Sequence, residues 1–457
     1  MFGAGRGGSS TQEDHLGEKD VRLLLINQYF PPDHAPTGLM LESVVGVLAD
    51  RGHEVTVLCA RGGYAGAALA DPAAGADEAA AGRGAVSVLR IGASSFGRAS
   101  FLGKLADYLS FYLAVALVIV RRRPRPDRVV VLTTPPYLSV LARLAGKCAG
   151  ADHAHWVMDL YPDVMVAHGM LRAGGLPHRV LAWLARLGFG GRRCAGVMTL
   201  GPDMAGKVSA YLTGGRKAAW VPLWNTDPVA DHARPHTAEP ATAGSTGRSA
   251  ADDLRLARGW KKDELVVMYS GNMGLGHRFS EILEVVRLHL MAGGGVPAIP
   301  RVRVVFYGAG KRRREIEDFL RDHPAAPVEL HDYVSRDLLA AHLRSADVHL
   351  ASLESGWEGT MVPSKLQGIF AAGRPVFFVG SDTSSIGEWI QESSGGWVVA
   401  PGDHQALHRA ILEAALPGAC LSRGRAAGEF ARRHFDRQLN SAKVAEWMTG
   451  GCRNEDA

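Results

Sequence analysis

The chain has 457 residues, 47% of them hydrophobic and 21% charged, too many for one ordinary domain and enough for two cores in units of about 200 residues. Fifty-one Lys and Arg against 46 Asp and Glu leave a formal charge of +5, which suits phosphorylated small molecules or anionic lipid but supplies no basic block for a nucleic-acid binder. Five scattered cysteines (Cys59, Cys148, Cys194, Cys420, Cys452) make no CxxC pair, so spacing offers neither a disulfide framework nor a zinc site, and the chain reads as reduced and cytoplasmic.

Residues 1–20 carry Gly and charge but no apolar run, and are expected to be a disordered leader without a secretory signal. Gly3, Gly5 and Gly8 spell GxGxxG, yet no strand precedes them and no helix follows, so the dinucleotide reading fails. Val21 to Asn27 is a continuous apolar run of buried-strand type. Helical spacing of Met40, Val44, Val47 and Leu48 follows, stopped at Arg51-Gly52, and then a second strand, Glu54 to Cys59. This βαβ unit implies a parallel sheet with ligand loops at its carboxyl ends. Further strands are expected at 128–133, 154–158 and 196–200.

The segment from Phe101 to Val120 is strongly apolar, but its uncharged part, Tyr108 to Val120, falls short of the roughly 20 residues that span a bilayer. Arg121, Arg122, Arg123 and Arg125 follow at once. Two readings stand: a helix lying on an anionic leaflet, or a buried core helix with a basic cap.

Residues 226–262 lose apolar periodicity and are expected to be a linker with an insertion. A second α/β series follows, with strands at 265–270, 302–307, 328–330, 348–351, 376–379 and 397–400. The expected organisation is a leader (1–20), a Rossmann-like domain (21–225), the linker (226–262), a second Rossmann-like domain (263–434), and a C-terminal helix and tail (435–457) that can cross back to the first domain.

Within Glu358 to Val376, Pro363 suits the first turn of a helix ending near Gly373. Its free N–H groups, with Lys365, can face a phosphate; the alternative is a capped helix carrying a surface lysine. Together with YFPPDHAPTG (Tyr29 to Gly38), RGHEVTVL (Arg51 to Leu58), PDRVVVLTTPP (Pro126 to Pro136), WVMDLYPDV (Trp156 to Val164), YSGNMGLGH (Tyr269 to His277) and FYGAG (Phe306 to Gly310), the stretch GTMVPSKLQGIFAAGRPV resembles glycosyltransferase family 4, in particular bacterial exopolysaccharide enzymes of the colanic-acid type. The resemblance covers nearly all of Val21 to Gly450. It implies the α/β GT-B fold, two doubly wound Rossmann-like domains facing a cleft, with acceptor bound by the first (21–225) and nucleotide-sugar by the second (263–434), in a glycosyltransferase of hexosyltransferase type.

The same resemblance implies a nucleotide-diphosphate sugar as donor substrate, with UDP favoured over GDP, no cofactor and no metal. It further implies a lipid-linked or glycan acceptor, retention of configuration, and peripheral contact with the inner face of the membrane. The donor-site candidates are Gly38, Gly271, Asn272, Gly274, Gly308, Gly310, Thr360, Met361, Val362, Ser364 and Lys365. A charge-stabilising role for Lys365 and the backbone fits departure of a diphosphate, though the SGNMG turn can equally be a tight strand-to-helix connection. Family members carry two glutamates where this chain has Thr360 and Gly368, and the usual Arg and Lys after the first donor-domain strand are replaced by Asn272 and by His277 or Arg278. Asp159 and Asp163 flank Leu-Tyr-Pro after a strand; Asp159 is the catalytic candidate on the acceptor side, and Asp163 can instead cap a helix. His34 and His168 are set aside as lone histidines. Lys311 is the one member of the Lys311-Arg-Arg-Arg314 run expected to leave the solvated face. A nucleotide-sugar epimerase and a binding-only homologue remain as rival readings.

Overall fold

The computed structural model describes residues 20–33, 35–61, 77–79, 84–92, 101–225, 249–291 and 301–450. The expected leader apart from Asp20, His34, residues 226–248 of the expected insertion, and Cys452 lie outside the described residues.

The first half opens with β1 (Arg22–Ile26), α1 (Pro36–Asp50), β2 (Glu54–Ala60), β3 (Asp77–Ala79) and β4 (Val86–Ile91). It continues with α2 (Phe101–Arg121), β5 (Arg128–Leu132), α3 (Leu138–Ala149), β6 (Asp152–Trp156), α4 (Asp163–Ala167) and α5 (Leu176–Phe189). β7 (Cys194–Thr199), α6 (Pro202–Ser209) and β8 (Ala219–Trp220) complete it. Its eight strands lie in the order β3-β4-β2-β1-β5-β6-β7-β8, parallel except for β3. Buried apolar residues such as Leu24, Val57 and Val130 fill both faces, as a sheet covered by helices on each side requires.

The second half runs α7 (Ala250–Ala257), β9 (Leu265–Ser270), α8 (Ser280–Met291), β10 (Val302–Tyr307), α9 (Arg313–Asp322) and β11 (Val328–His331). Then come α10 (Leu339–Ser345), β12 (Val348–Ser352), α11 (Lys365–Ala371), β13 (Val376–Val379), α12 (Ser385–Ser393) and β14 (Gly396–Val399). These six strands form a parallel sheet, β11-β10-β9-β12-β13-β14. Helices α13 (His404–Ala414), α14 (Ala419–His434) and α15 (Arg437–Gly450) finish the chain.

Helix α7 falls inside the stretch expected to be a linker. Ser249 and Asp252 make a reciprocal capping box at its start, and Arg255 reaches Asp347 at 3.0 Å, so this helix is fixed to the second half. Helix α15 packs against α1, and Asn440 Nδ2 donates to the Pro222 carbonyl at 3.3 Å. The chain therefore crosses back to the first half at its end.

Helix α2 buries one face in the core, as the core-helix reading requires, and leaves the other exposed. Phe111, Val115 and Ile119 are buried in the first-half core, while Leu109, Leu113 and Leu117 are 56%, 65% and 48% exposed. Helices α2, α3 and α5 lie side by side, and α3 and α5 add Leu144, Val180 and Trp183 to the exposed apolar surface. Among the described residues no helix is long and apolar enough to cross a membrane.

Candidate active site between the two sheets

After β9 the chain turns through Gly271 to His277, beside the turn that follows β10. A Cβ on Gly308 would stand 2.1 Å from the Gly271 carbonyl oxygen, and one on Gly310 would stand 2.4 Å from that of Met273. Both glycines have positive φ, 128° and 147°. Glycine is required at both positions because two backbone turns press together here.

Gly271 makes room for Lys365, since a Cβ there would lie 2.8 Å from Lys365 Cε. The Lys365 ammonium sits 3.0 Å from His277 Nε2, 3.4 Å from the Asn272 carbonyl oxygen and 5.0 Å from the centre of the Tyr269 ring. His277 Nδ1 lies 2.8 Å from the Ser352 carbonyl, to which only a protonated nitrogen donates, so Nε2 is the acceptor for Lys365. Burial, followed by the Lys365 charge, brings the His277 imidazole down to about 3 and keeps it neutral. Burial also lowers the Lys365 ammonium to about 7, and among the described residues no carboxylate pairs with it. A cation held by neutral groups at a sheet's carboxyl end is set up to receive an anion.

The neighbouring arginines are already neutralised. Arg278 binds Glu281 and Glu354, and Arg312 binds Glu354 at 2.9 Å. Arg278 is thus shared between two carboxylates, while His277 contacts Lys365. Arg312 and Arg313 also leave the expected solvated face, pairing with Glu354 and Glu317, whereas Lys311 is exposed.

Several expected backbone donors are turned elsewhere. The Gly271 and Met273 amides donate to the Tyr307 and Ala309 carbonyls at 2.9 and 2.8 Å. The Thr360 amide and hydroxyl both donate to the Trp357 carbonyl, at 3.1 and 2.7 Å. Helix α11 is only seven residues long, starting at Lys365, so Pro363 precedes it where the first helical turn was expected. Ser364 stands exposed at its start with no side-chain capping bond, Asn272 is exposed and Gly274 half-buried. Gly38 lies in α1 of the first half, where a Cβ would come within 3.0 Å of the Tyr29 carbonyl oxygen.

The loop before α11 joins the two halves. A backbone bridge pairs Asp159, after β6, with Met361, and the Leu160 amide donates to the Thr360 carbonyl at 2.8 Å; the neighbouring Val362 is buried. Asp203 at the start of α6 accepts from the Gly359 and Ser385 amides, both at 3.2 Å, and from the Ser385 hydroxyl. His168, set aside from the sequence, packs its ring 4.6 Å from that of Trp357 across the same boundary. None of these pairings has a sequence signature, because each joins residues far apart in the chain.

Asp159 lines a pocket with Thr133, Tyr137, Ser139 and Tyr161. Burial raises its carboxyl to about 6. Its amide donates to Thr133 Oγ1 at 3.2 Å. Asp163 does not cap a helix: it is the first residue of α4, after the Pro162 cap position, and its carboxylate accepts from the Tyr211 hydroxyl at 2.5 Å.

Two family models match the chain, a glycosyl transferase 4-like domain over residues 38–224 and a glycosyl transferases group 1 domain over residues 265–415. WcaI of Escherichia coli strain K12, named for glycosyl transfer in colanic acid biosynthesis, is 23% identical over 423 residues, 92% of this chain and 97% of its own. WbjE of Pseudomonas aeruginosa, named as a glycosyltransferase, is 24% identical over 309 residues, 67% of this chain and 70% of its own. Among solved structures, WaaG, a glycosyltransferase involved in lipopolysaccharide biosynthesis, is similar with a TM-score of 0.64 at 16% identity, over 94% of this chain and 100% of that one. Anabaena HepE, solved in complex with UDP-glucose, gives a TM-score of 0.63 at 14% identity, over 94% and 99%. At such identities the structures establish the fold, while the family models cover most of both halves. The chain therefore belongs to glycosyltransferase family 4 and is a glycosyltransferase of the GT-B fold.

Proposed function

We propose that this glycosyltransferase moves a sugar from a nucleotide-diphosphate donor, UDP ahead of GDP, onto a membrane-associated glycan acceptor during polysaccharide assembly. The observation that carries the donor side is the Lys365 ammonium, held by His277 and the Asn272 carbonyl and left without a carboxylate partner. Negative charge develops on the leaving diphosphate as the C1–oxygen bond breaks, and a cation already in place stabilises it without reorganisation. The UDP-glucose complex of HepE supports UDP as the carrier.

Transfer proceeds with retention. The acceptor hydroxyl attacks C1 on the face that the diphosphate leaves, and its proton passes to a departing phosphate oxygen, so no separate nucleophile is needed. Asp159, on the wall of its pocket, orients the acceptor hydroxyl or a sugar hydroxyl by accepting a hydrogen bond. Lys365 serves the diphosphate in place of a bridging divalent cation.

The exposed apolar surface of α2, α3 and α5 supports a lipid-linked acceptor, with Arg121, Arg123 and Arg125 exposed at its edge. Arg122 turns inward to Thr56 Oγ1 at 2.6 Å, leaving three of the four arginines for a leaflet. Exposed Trp183 suits the interface, where an indole can keep its N–H wet.

The test is incubation with labelled UDP- and GDP-sugars and a polyprenyl-linked glycan in anionic vesicles. Transfer with one nucleotide class, undiminished by brief exposure to EDTA, is the expected result. Nucleotide binding with neither transfer nor donor hydrolysis across the donor panel would favour the binding-only homologue.

A further inference from the structure

Away from the Lys365 site, three ligand-type side chains meet inside the first sheet. His153 and His155 are two residues apart on β6 and so share a face, and the register sets Cys194 of β7 opposite His153. All three are buried, 2%, 2% and 7% exposed, and their ligand atoms lie within 4.8 Å of one another.

The hydrogen bonds of this group are incomplete. His153 Nε2 donates to the Gly190 carbonyl at 3.2 Å, which leaves Nδ1 with a lone pair and no hydrogen-bond partner. Neither ring nitrogen of His155 makes a hydrogen bond, the Gly188 carbonyl lying outside bonding geometry. Orphaned polar atoms at this depth are costly, and apolar residues of similar size would fill the space more cheaply.

We propose that His153, His155 and Cys194 form a structural site for a divalent cation of the zinc class, which fastens β6 to β7. Two imidazoles and a thiolate are a donor set that zinc accepts, and the His153 bond to Gly190 is the outer contact that fixes a ligating ring. Tetrahedral zinc wants ligand atoms about 3.3–3.6 Å apart, so side-chain rotation closes the remaining gap. The Cys194 thiol, now 3.9 Å from the Gly196 carbonyl, gives up its proton as the zinc–sulfur bond forms. One proton, that of the thiol, is released per metal.

His155 also lines the pocket that holds Asp159, Thr133 and Ser139, which offers an entry path and room for water as a fourth ligand. The site is separate from the diphosphate chemistry. Its consequence is positional: β6 runs directly into Asp159, so fixing β6 steadies the acceptor-side carboxylate. Spacing could not reveal it, since the third ligand comes from a neighbouring strand.

Metal analysis of the full chain, prepared with zinc and then dialysed, should find about one zinc per chain, released on unfolding. Cys194→Ser combined with His155→Asn should reduce it to background. Zinc absent from the native chain, or retained in full by the double variant, would overturn the site. Should that variant fail to fold, cobalt(II) added to the native chain decides: a thiolate-to-cobalt absorption band displaced by zinc is expected, and its absence overturns the proposal.

Discussion

The carboxyl ends of the two parallel sheets are alike in topology and opposite in charge. After β6 in the first half stands a carboxyl group, Asp159, raised to about 6 by burial. Beside the turn after β9 in the second half stands an ammonium group, Lys365, lowered to about 7 by the same cause. One fold thus presents an acid on one wall and a cation on the other, each with its charge made costly until a ligand arrives. The difference teaches that the doubly wound sheet supplies only the position, and the residue at the strand end supplies the chemistry.

The strongest way to break the comparison is to remove the cation. Lys365→Ala should lower transfer at least a hundredfold, about 3 kcal/mol in the range measured for single charge-stabilising donors. The fold should survive, because the lysine has no ion pair to lose. Steady-state rates with a saturating acceptor check this, and a loss within threefold would remove Lys365 from the diphosphate. Lys365→Arg sharpens the point through pH. In the free enzyme kcat/KM should fall as Asp159 protonates below about 6 and again as Lys365 loses its proton above about 7. A guanidinium stays charged, so the alkaline limb should vanish in the arginine variant while the acid limb remains.

A second asymmetry lies on the outer surface, where α2, α3 and α5 of the first half lie side by side with exposed apolar residues. Changing Arg121, Arg123 and Arg125 together to Gln should weaken binding to anionic vesicles by about a hundredfold, at about 1 kcal/mol for each charge near the leaflet. Arg122→Gln should do much less, since that side chain is bound to Thr56. Co-sedimentation across a salt series reads both. Equal losses from all four positions would mean that the inward arginine is not held as described.

Asp159→Asn tests the acid wall by itself. Transfer should fall about tenfold, in the lower range for a positioned acid or base, with nucleotide affinity unchanged by calorimetry. Lost nucleotide binding with normal acceptor use would move Asp159 to the donor side.

The fold was legible in the sequence wherever burial leaves a continuous apolar run. Strands β1, β2, β5 to β7, β9, β10 and β12 to β14 are mostly buried, while the edge strand β11 is only partly buried. Strands β3, β4 and β8 escaped notice because two are very short and β4 is half-exposed, so its pattern blurs. Helix α7 was hidden by its polar linker-like neighbours despite its Ser249 and Asp252 cap. At the site, Lys365 was readable from its motif. Its pairing with His277, the occupation of Arg278 by two glutamates, and the turning of the Thr360 amide away from the cleft required tertiary contacts that no local pattern encodes.

The smallest expected effect concerns what holds the two walls in register. Asp203 of the first half receives two amides, from Gly359 and Ser385, and the Ser385 hydroxyl, at the start of α12 in the second half. Its carboxylate meets the positive end of that helix, an interaction that outside the deep interior contributes about 0.5–2 kcal/mol. Because the bonds cross between the halves, their loss should act on alignment more than on either core. Asp203→Ala should therefore raise the acceptor KM two- to threefold, lower the melting temperature slightly, and leave nucleotide affinity unchanged. Asp203→Asn keeps an acceptor oxygen and should recover part of the loss. Since Lys365 and its His277 support lie wholly within the second half, a fall in nucleotide affinity in Asp203→Ala would show that the donor site depends on the first half, and the two walls would then be one site rather than two.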